Sequence, residues 1–222
     1  DDGQGGLFVR DLQAGTTTRL LPFSTTFPNF EEISVSGDGL RIAFERGGQD
    51  RDVFVFDRTL GAVSLVSVAA DGSDGNGPSG EPMISADGRY VVFSSDADNL
   101  LAGDTNASQR IYLRDLLSQT TSRVVESRGD SPFISADGRF VAFRGFPSAG
   151  YFVHDRQLGT TTAITLSSDG NSANAFHRSV PVVSTDGRLV VFTHLASNLA
   201  PRDTNNRTDV FVRDVRTGTT GL

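Results

Sequence analysis

Apolar residues in this chain arrive in short alternating runs, and nowhere in the 3.6-residue rhythm of an amphipathic helix long enough to matter. Four runs share one lead-in. Ser36-Gly-Asp38-Gly39 precedes Arg41-Ile-Ala-Phe44, and Ser85-Ala-Asp87-Gly88 precedes Arg89-Tyr-Val-Val-Phe93. Ser135-Ala-Asp137-Gly138 precedes Arg139-Phe-Val-Ala-Phe143, and Ser184-Thr-Asp186-Gly187 precedes Arg188-Leu-Val-Val-Phe192. A second, aromatic-rich run ending in Asp recurs at Leu7–Asp11, Val53–Asp57, Ile111–Asp115, Tyr151–Asp155 and Val210–Asp214. Gly follows four of these Asp residues at Gly15, Gly61, Gly159 and Gly218, with Gln119 in its place in the third copy. Asp that accepts turn hydrogen bonds, followed by Gly that takes positive φ, closes tight β-turns, and β-branched and aromatic residues supply the flanking strands. Each unit therefore predicts four strands: a (as at Pro82–Ile84), b (Tyr90–Phe93), c (Ile111–Asp115) and d (Thr121–Val125). Four antiparallel strands recurring every 40 to 60 residues predict an all-β fold, a β-propeller of four-stranded blades, about four and a half in this chain.

The combined pattern, S-x-D-G-R-x-V-x-F and then D-V-F-V-x-D-x-x-x-G-T-T, resembles the TolB-type, WD-repeat-like propeller repeat of bacterial envelope and secreted proteins. The resemblance covers essentially the whole chain. It implies the fold and a bacterial, extracytoplasmic setting, periplasmic or secreted. It implies no catalytic residue, because such propellers serve as binding platforms, assembly subunits and enzyme domains alike.

Laid on the sequence, a single propeller domain spans 1–222, with a half blade at 1–30 and blades at 31–80, 81–130, 131–179 and 180–222, the last incomplete. The termini do not complement each other, since the first segment supplies strands c and d and the last blade lacks only d. The expectation is a piece of a longer propeller or a chain that a partner completes, with an irregularly closed ring as the alternative. The start at Asp1-Asp2-Gly3, without Met or a signal-peptide core, reads as processed or excised.

Composition narrows the chemistry. The 222 residues include no Cys, no Trp and no Lys, so disulfides, thiolate nucleophiles, Schiff bases and a P-loop lysine are excluded. A net charge of −7 speaks against a nucleic-acid partner, and no apolar run suits membrane insertion. No G-x-S-x-G, H-E-x-x-H or Gly-rich phosphate loop occurs.

Candidate binding residues fall on the rim formed by the b–c and d–a loops. The distance between the strand b and strand c aromatics is 10 in blade one and 9 in blade three, but 19 in blades two and four, so loops repeat with a two-blade period of 99. Phe176, His177 and Arg178 form an aromatic and basic cluster in one d–a loop, the composition of a binding hot spot. His194 is expected to reach the same rim, and Arg144 and Phe146 join the partner-binding candidates. His154 reads as an ordinary surface residue. The two long loops carry Asp104-Thr-Asn106 and Asp203-Thr-Asn205…Asp209, oxygen donors spaced for a structural Ca²⁺. An EF-hand is excluded, because the acid at its twelfth position would sit at the far end of strand c, about 17 Å away, and Arg110 replaces the acid of the first loop. Asx-turns that pin the loops are the commoner reading. The acidic loop Asp71–Asn76 reads as a flexible connection.

The leading expectation is a non-catalytic module for protein–protein binding or assembly, with another protein or further copies of itself as partner. The alternative is a propeller hydrolase or lyase acting on saccharide or peptide, marked by carboxylates and His194 or His177 gathered at one channel mouth.

Overall fold

The computed structural model describes residues 5–23, 29–48, 51–104, 108–147, 150–176, 179–201, 203–205 and 207–222. Among them there is no helix, and every strand pairing is antiparallel. A two-stranded sheet pairs β1 (Gly6–Asp11) with β2 (Thr16–Pro22). Blade one contains β3 (Phe30–Val35), β4 (Arg41–Arg46), β5 (Asp52–Asp57) and β6 (Ala62–Leu65). Blade two contains β7 (Ser79–Ile84), β8 (Tyr90–Ser95), β9 (Arg110–Asp115) and β10 (Thr120–Arg123). Blade three contains β11 (Gly129–Ile134), β12 (Phe140–Gly145), β13 (Gly150–Asp155) and β14 (Thr160–Ala163). Blade four contains β15 (Val182–Val183), β16 (Leu189–His194), β17 (Asp209–Asp214) and β18 (Thr219–Gly221). The fold is a β-propeller of four-stranded antiparallel blades. Strand d of blade four, expected to be cut short, forms over three residues and pairs Thr219 with Asp214.

The repeated motifs close the hairpins by local hydrogen bonds. Asp38 Oδ1 accepts from Ser36 Oγ at 2.6 Å and from the Leu40 amide at 2.9 Å, while Ser36 Oγ accepts from the Arg41 amide at 3.0 Å. Gly39 has φ +69°, a left-handed conformation that costs a side-chain-bearing residue roughly 1–2 kcal/mol. The other three motifs repeat the pattern, with φ of +70°, +74° and +70° at Gly88, Gly138 and Gly187. The basic residue of each motif then reaches the Asp that ends strand c. Arg41 pairs with Asp57 at 3.1 Å, and Arg89 with Asp115, Arg139 with Asp155 and Arg188 with Asp214 at 2.7 Å each. The same Asp residues cap the following turn, as where Asp57 Oδ1 accepts from the Thr59 amide at 2.9 Å. Hydrogen bonds and the guanidinium together hold these carboxyls low: Asp57 (chiefly the Thr59 hydroxyl), Asp155 (Arg139) and Asp214 (Arg188) at about 2, and the Arg89 guanidinium lowers Asp115 likewise.

Neighbouring blades stack through three equivalent positions. Ala43, Val53 and Val55 of blade one pack on Ile84, Val91, Phe93 and Tyr112 of blade two. Val92, Ile111 and Leu113 of blade two pack on Ile134, Val141 and Phe143 of blade three. Ala142, Tyr151 and Val153 of blade three pack on Val183, Val190, Phe192 and Phe211 of blade four. Within each blade the recurring aromatics of strands b and c sit directly opposite and stack, with centroids 5.7–5.9 Å apart.

Candidate functional site

The alternation of short and long b–c loops has a structural cause. Blades one and three are followed by long d–a loops, and each lies against the long b–c loop of the next blade. The Asn76 amide donates to Asn99 Oδ1 at 2.9 Å, and the Asp98 amide donates back to Asn76 Oδ1 at 3.0 Å. In the second pair the Asn174 amide donates to Asn198 Oδ1 at 3.0 Å and the Ser197 amide to Asn174 Oδ1 at 3.1 Å. Ala97 and Leu100, and likewise Ala196 and Leu199, are buried beneath these clasps. The Asp71–Asn76 loop, read from sequence as a flexible connection, is held by this clasp at Asn76.

The long loops end on the acids expected to bind calcium, and the two blades treat them differently. In blade two Asp104 has a side chain 2% exposed. Its carboxylate pairs with Arg123, lies 3.5 Å from Arg110 Nη1, and accepts from the Tyr112 hydroxyl at 3.0 Å. Burial, then the bond to Asp104, pushes the Tyr112 phenol up to about 12. Guanidinium groups thus supply the positive charge that calcium was expected to bring to this loop. In blade four Asp203 is 7% exposed, and among the described residues neither carboxylate oxygen has a hydrogen-bond partner. Asp209 Oδ1 accepts from Asn205 Nδ2 at 3.2 Å, whereas its buried Oδ2 has no partner. Asn205 Oδ1 caps the Arg207 amide at 2.7 Å, an Asx-turn. No group of three or more His, Cys, Asp or Glu among the described residues is placed to hold a metal ion. Asn106 lies outside the described residues.

Near the propeller axis, strands a of blades one to three each carry a bulge with a positive-φ residue: Glu32 (42°), Glu81 (56°) and Ser131 (51°). These line a pocket of about 380 Å³ together with Ile33, Pro82, Met83, Pro132, Ser179 and Val180. Its carboxylates are used across the blades. Glu45 Oε2 accepts from the Glu81 amide at 3.2 Å, and Glu81 Oε2 accepts from the Ser131 amide at 2.8 Å and from Ser94 Oγ at 2.9 Å. Burial raises the Glu45 carboxyl, against the pull of the Glu81 amide and of Arg51 at 3.3 Å.

The described partner-binding candidates differ in burial and in partners. Phe176 is 73% exposed in its loop, and its neighbours His177 and Arg178 lie outside the described residues. His194 was expected at the rim, but it is 1% exposed. Its ring meets Tyr151 and Phe192 edge-on, and Nδ1 accepts from the Ala196 amide at 3.0 Å. The residue that ends strand b tucks under the clasped loop, as Ser95 does for the Ala97 amide in blade two. Arg144 is tied to buried Asp130, Nε to Oδ1 at 2.7 Å, and its guanidinium lies 4.9 Å from the Phe146 ring. Phe146 lines a cleft of about 510 Å³ between blades two and three, with Arg123, Phe143, Phe152 and His154 among its walls. His154 bonds Thr161 Oγ1 at 2.9 Å, and burial lowers its pKa.

Sequence reading missed the outer face of blade four. Val191, Val210 and Val212 are the residues 99 positions after Val92, Ile111 and Leu113. In blade two those positions are 0%, 0% and 2% exposed, whereas in blade four they are 40%, 56% and 37% exposed. The 99-residue period is the signal that assigns them to the stacking face.

No protein-family model and no curated protein matches the chain. Solved structures do. The chain is similar to TolB from Acinetobacter baumannii, with 20% identity and a TM-score of 0.62 over 98% of this chain and 48% of that one. It is similar to an oligogalacturonate lyase from Vibrio parahaemolyticus, with 10% identity and a TM-score of 0.63 over 97% and 59%. It is also similar to a puromycin-hydrolyzing peptidase of Mycobacterium tuberculosis, with 15% identity and a TM-score of 0.63 over 94% and 30%. The chain thus spans between about a third and three fifths of these proteins' lengths. At such identities the likeness is one of fold.

Proposed function

We propose that this protein is a non-catalytic binding and assembly module, bacterial and extracytoplasmic in setting, a propeller subunit of a larger protein or complex in which the exposed face of blade four takes a further sheet. The observation that carries the reading is the stacking triad. Ala43/Val53/Val55, Val92/Ile111/Leu113 and Ala142/Tyr151/Val153 each lie beneath a neighbouring blade, while Val191, Val210 and Val212 form the same face without a cover. An apolar sheet face of this kind gains several kcal/mol when another sheet removes it from water. Another protein or a further copy of this chain would supply that sheet. The extracytoplasmic setting rests on the resemblance of the repeat, and no helix among the described residues is long and apolar enough to cross a membrane.

Size-exclusion chromatography with light scattering over a wide concentration range tests the assembly. The expected mass exceeds the 23.7 kDa of the single chain and returns to it in a Val191→Glu/Val210→Glu variant with unchanged circular dichroism. A wild-type mass of 23.7 kDa at every concentration would overturn self-association and leave another protein as the partner.

A further inference from the structure

The carboxylates of blade four pose a charge problem that blade two has solved with arginine. Asp203 stands where blade two has Asp104, 99 residues earlier. The arginines that meet Asp104 are replaced at that period: Arg110 becomes Asp209 and Arg123 becomes Leu222, while Tyr112, which donates a hydroxyl, becomes Phe211. These three donors to Asp104 are therefore gone, and a second carboxylate stands in the place of one of them. Both oxygens of Asp203 and Oδ2 of Asp209 are buried without a hydrogen bond among the described residues. Leaving ionised oxygens buried and uncompensated is strongly unfavourable, and a bound cation is the direct remedy.

We infer that blade four binds a hard divalent cation, calcium in the first instance, between the carboxylates of Asp203 and Asp209, in the position that guanidinium groups occupy in blade two. The donor set favours calcium over zinc. It has two carboxylates with no His or Cys partner among the described residues, and the amide oxygen of Asn205 lies on the same loop. With only two charged ligands and the rest supplied by neutral oxygens and water, affinity falls in the class of extracellular calcium modules, a Kd of about 0.1–1 mM. That suits an extracytoplasmic protein. The site is specific to blade four, since the equivalent loop of blade two carries its own counter-charge.

The test is calcium titration of the full chain after treatment with EGTA, read by isothermal calorimetry and by thermal melting. Binding at one site per chain is expected, with a melting temperature that rises by on the order of 5 °C in a large excess of calcium over EGTA. Asp203→Asn should lose both the heat and the calcium-dependent rise. Asp209→Arg, which restores the equivalent of Arg110 in blade two, should melt in EGTA at or above the wild type and ignore calcium. A wild type that melts identically in EGTA and calcium, with no heat of binding, would overturn the inference. So would an Asp209→Arg variant that still binds calcium. Should Asp203→Asn fail to fold, the wild-type titration and Asp209→Arg still decide.

Discussion

Exchanging Asp104 for Asn and Asp203 for Asn removes the same charge from two equivalent loops, yet the two variants are expected to move stability in opposite directions when calcium is chelated. The Asp104 side chain is 2% exposed and faces Arg110 and Arg123, whose side chains are 10% and 15% exposed. Neutralising it leaves two largely buried guanidinium groups short of a counter-ion, and breaking a buried pair in this way costs about 3–5 kcal/mol. Two features pull the figure to the lower end. Arg123 keeps its contact with Glu126, and Arg110 stands 3.5 Å from the Asp104 oxygen, so it has less to lose. We expect Asp104→Asn to cost about 3 kcal/mol. Asp203→Asn removes a buried charge with no counter-charge, so in EGTA it should be neutral or stabilise by about 1–2 kcal/mol. Urea denaturation in EGTA, followed by circular dichroism, reads both values. Asp104→Asn carries a second signature, because Asp104 helps to hold the Tyr112 phenol up at about 12. In the wild type, tyrosinate absorbance should show one of the three tyrosines ionising late, and in the variant that step should move to lower pH. Equal destabilisation by the two substitutions would refute the reasoning, since it would mean that Asp203 is compensated as fully as Asp104.

Two further outcomes follow from the hairpins. Asp57, Asp155 and Asp214 titrate at about 2 in the folded protein, below their ordinary 3.8, so their contribution to stability is present above about pH 4 and is lost as pH falls toward 2. Thermal melting between pH 5 and pH 2 should show a steep decline over that window, and a flat profile would contradict the Arg–Asp staples. Gly187 has φ +70°, and a Cβ there would lie 2.3 Å from the Phe140 ring, whereas Gly15 has φ +66° with nothing within 4 Å. Gly15→Ala should therefore cost about 1 kcal/mol of backbone strain, and Gly187→Ala about 2–4 kcal/mol with the added clash, as read from denaturation midpoints. Similar losses at both positions would mean that the Phe140 ring moves aside freely.

Much of the blade architecture is legible in the residue pattern because its causes are local. In Ser85-Ala-Asp87-Gly88-Arg89, hydrogen bonds span two to five residues, so the turn is written in the motif itself. The alternating runs that follow fix strand faces with a period of two, and the 99-residue recurrence of long loops is written in the spacing of the strand b and strand c aromatics. Tertiary structure alone decided what each face and charge meets. One of the two arginines that meet Asp104 comes from position 123, on β10, and no local rule links them. His194 reads as a rim residue because its strand ends there, but the clasp between Asn174 and the loop at 196–198 closes over it. Val191 and Val92 have the same neighbours in sequence and the same place in their blades, and they differ only in whether a further sheet lies across them. Turn chemistry is short-range and belongs to the chain, whereas charge compensation and burial depend on which distant surfaces the packing of blades brings together.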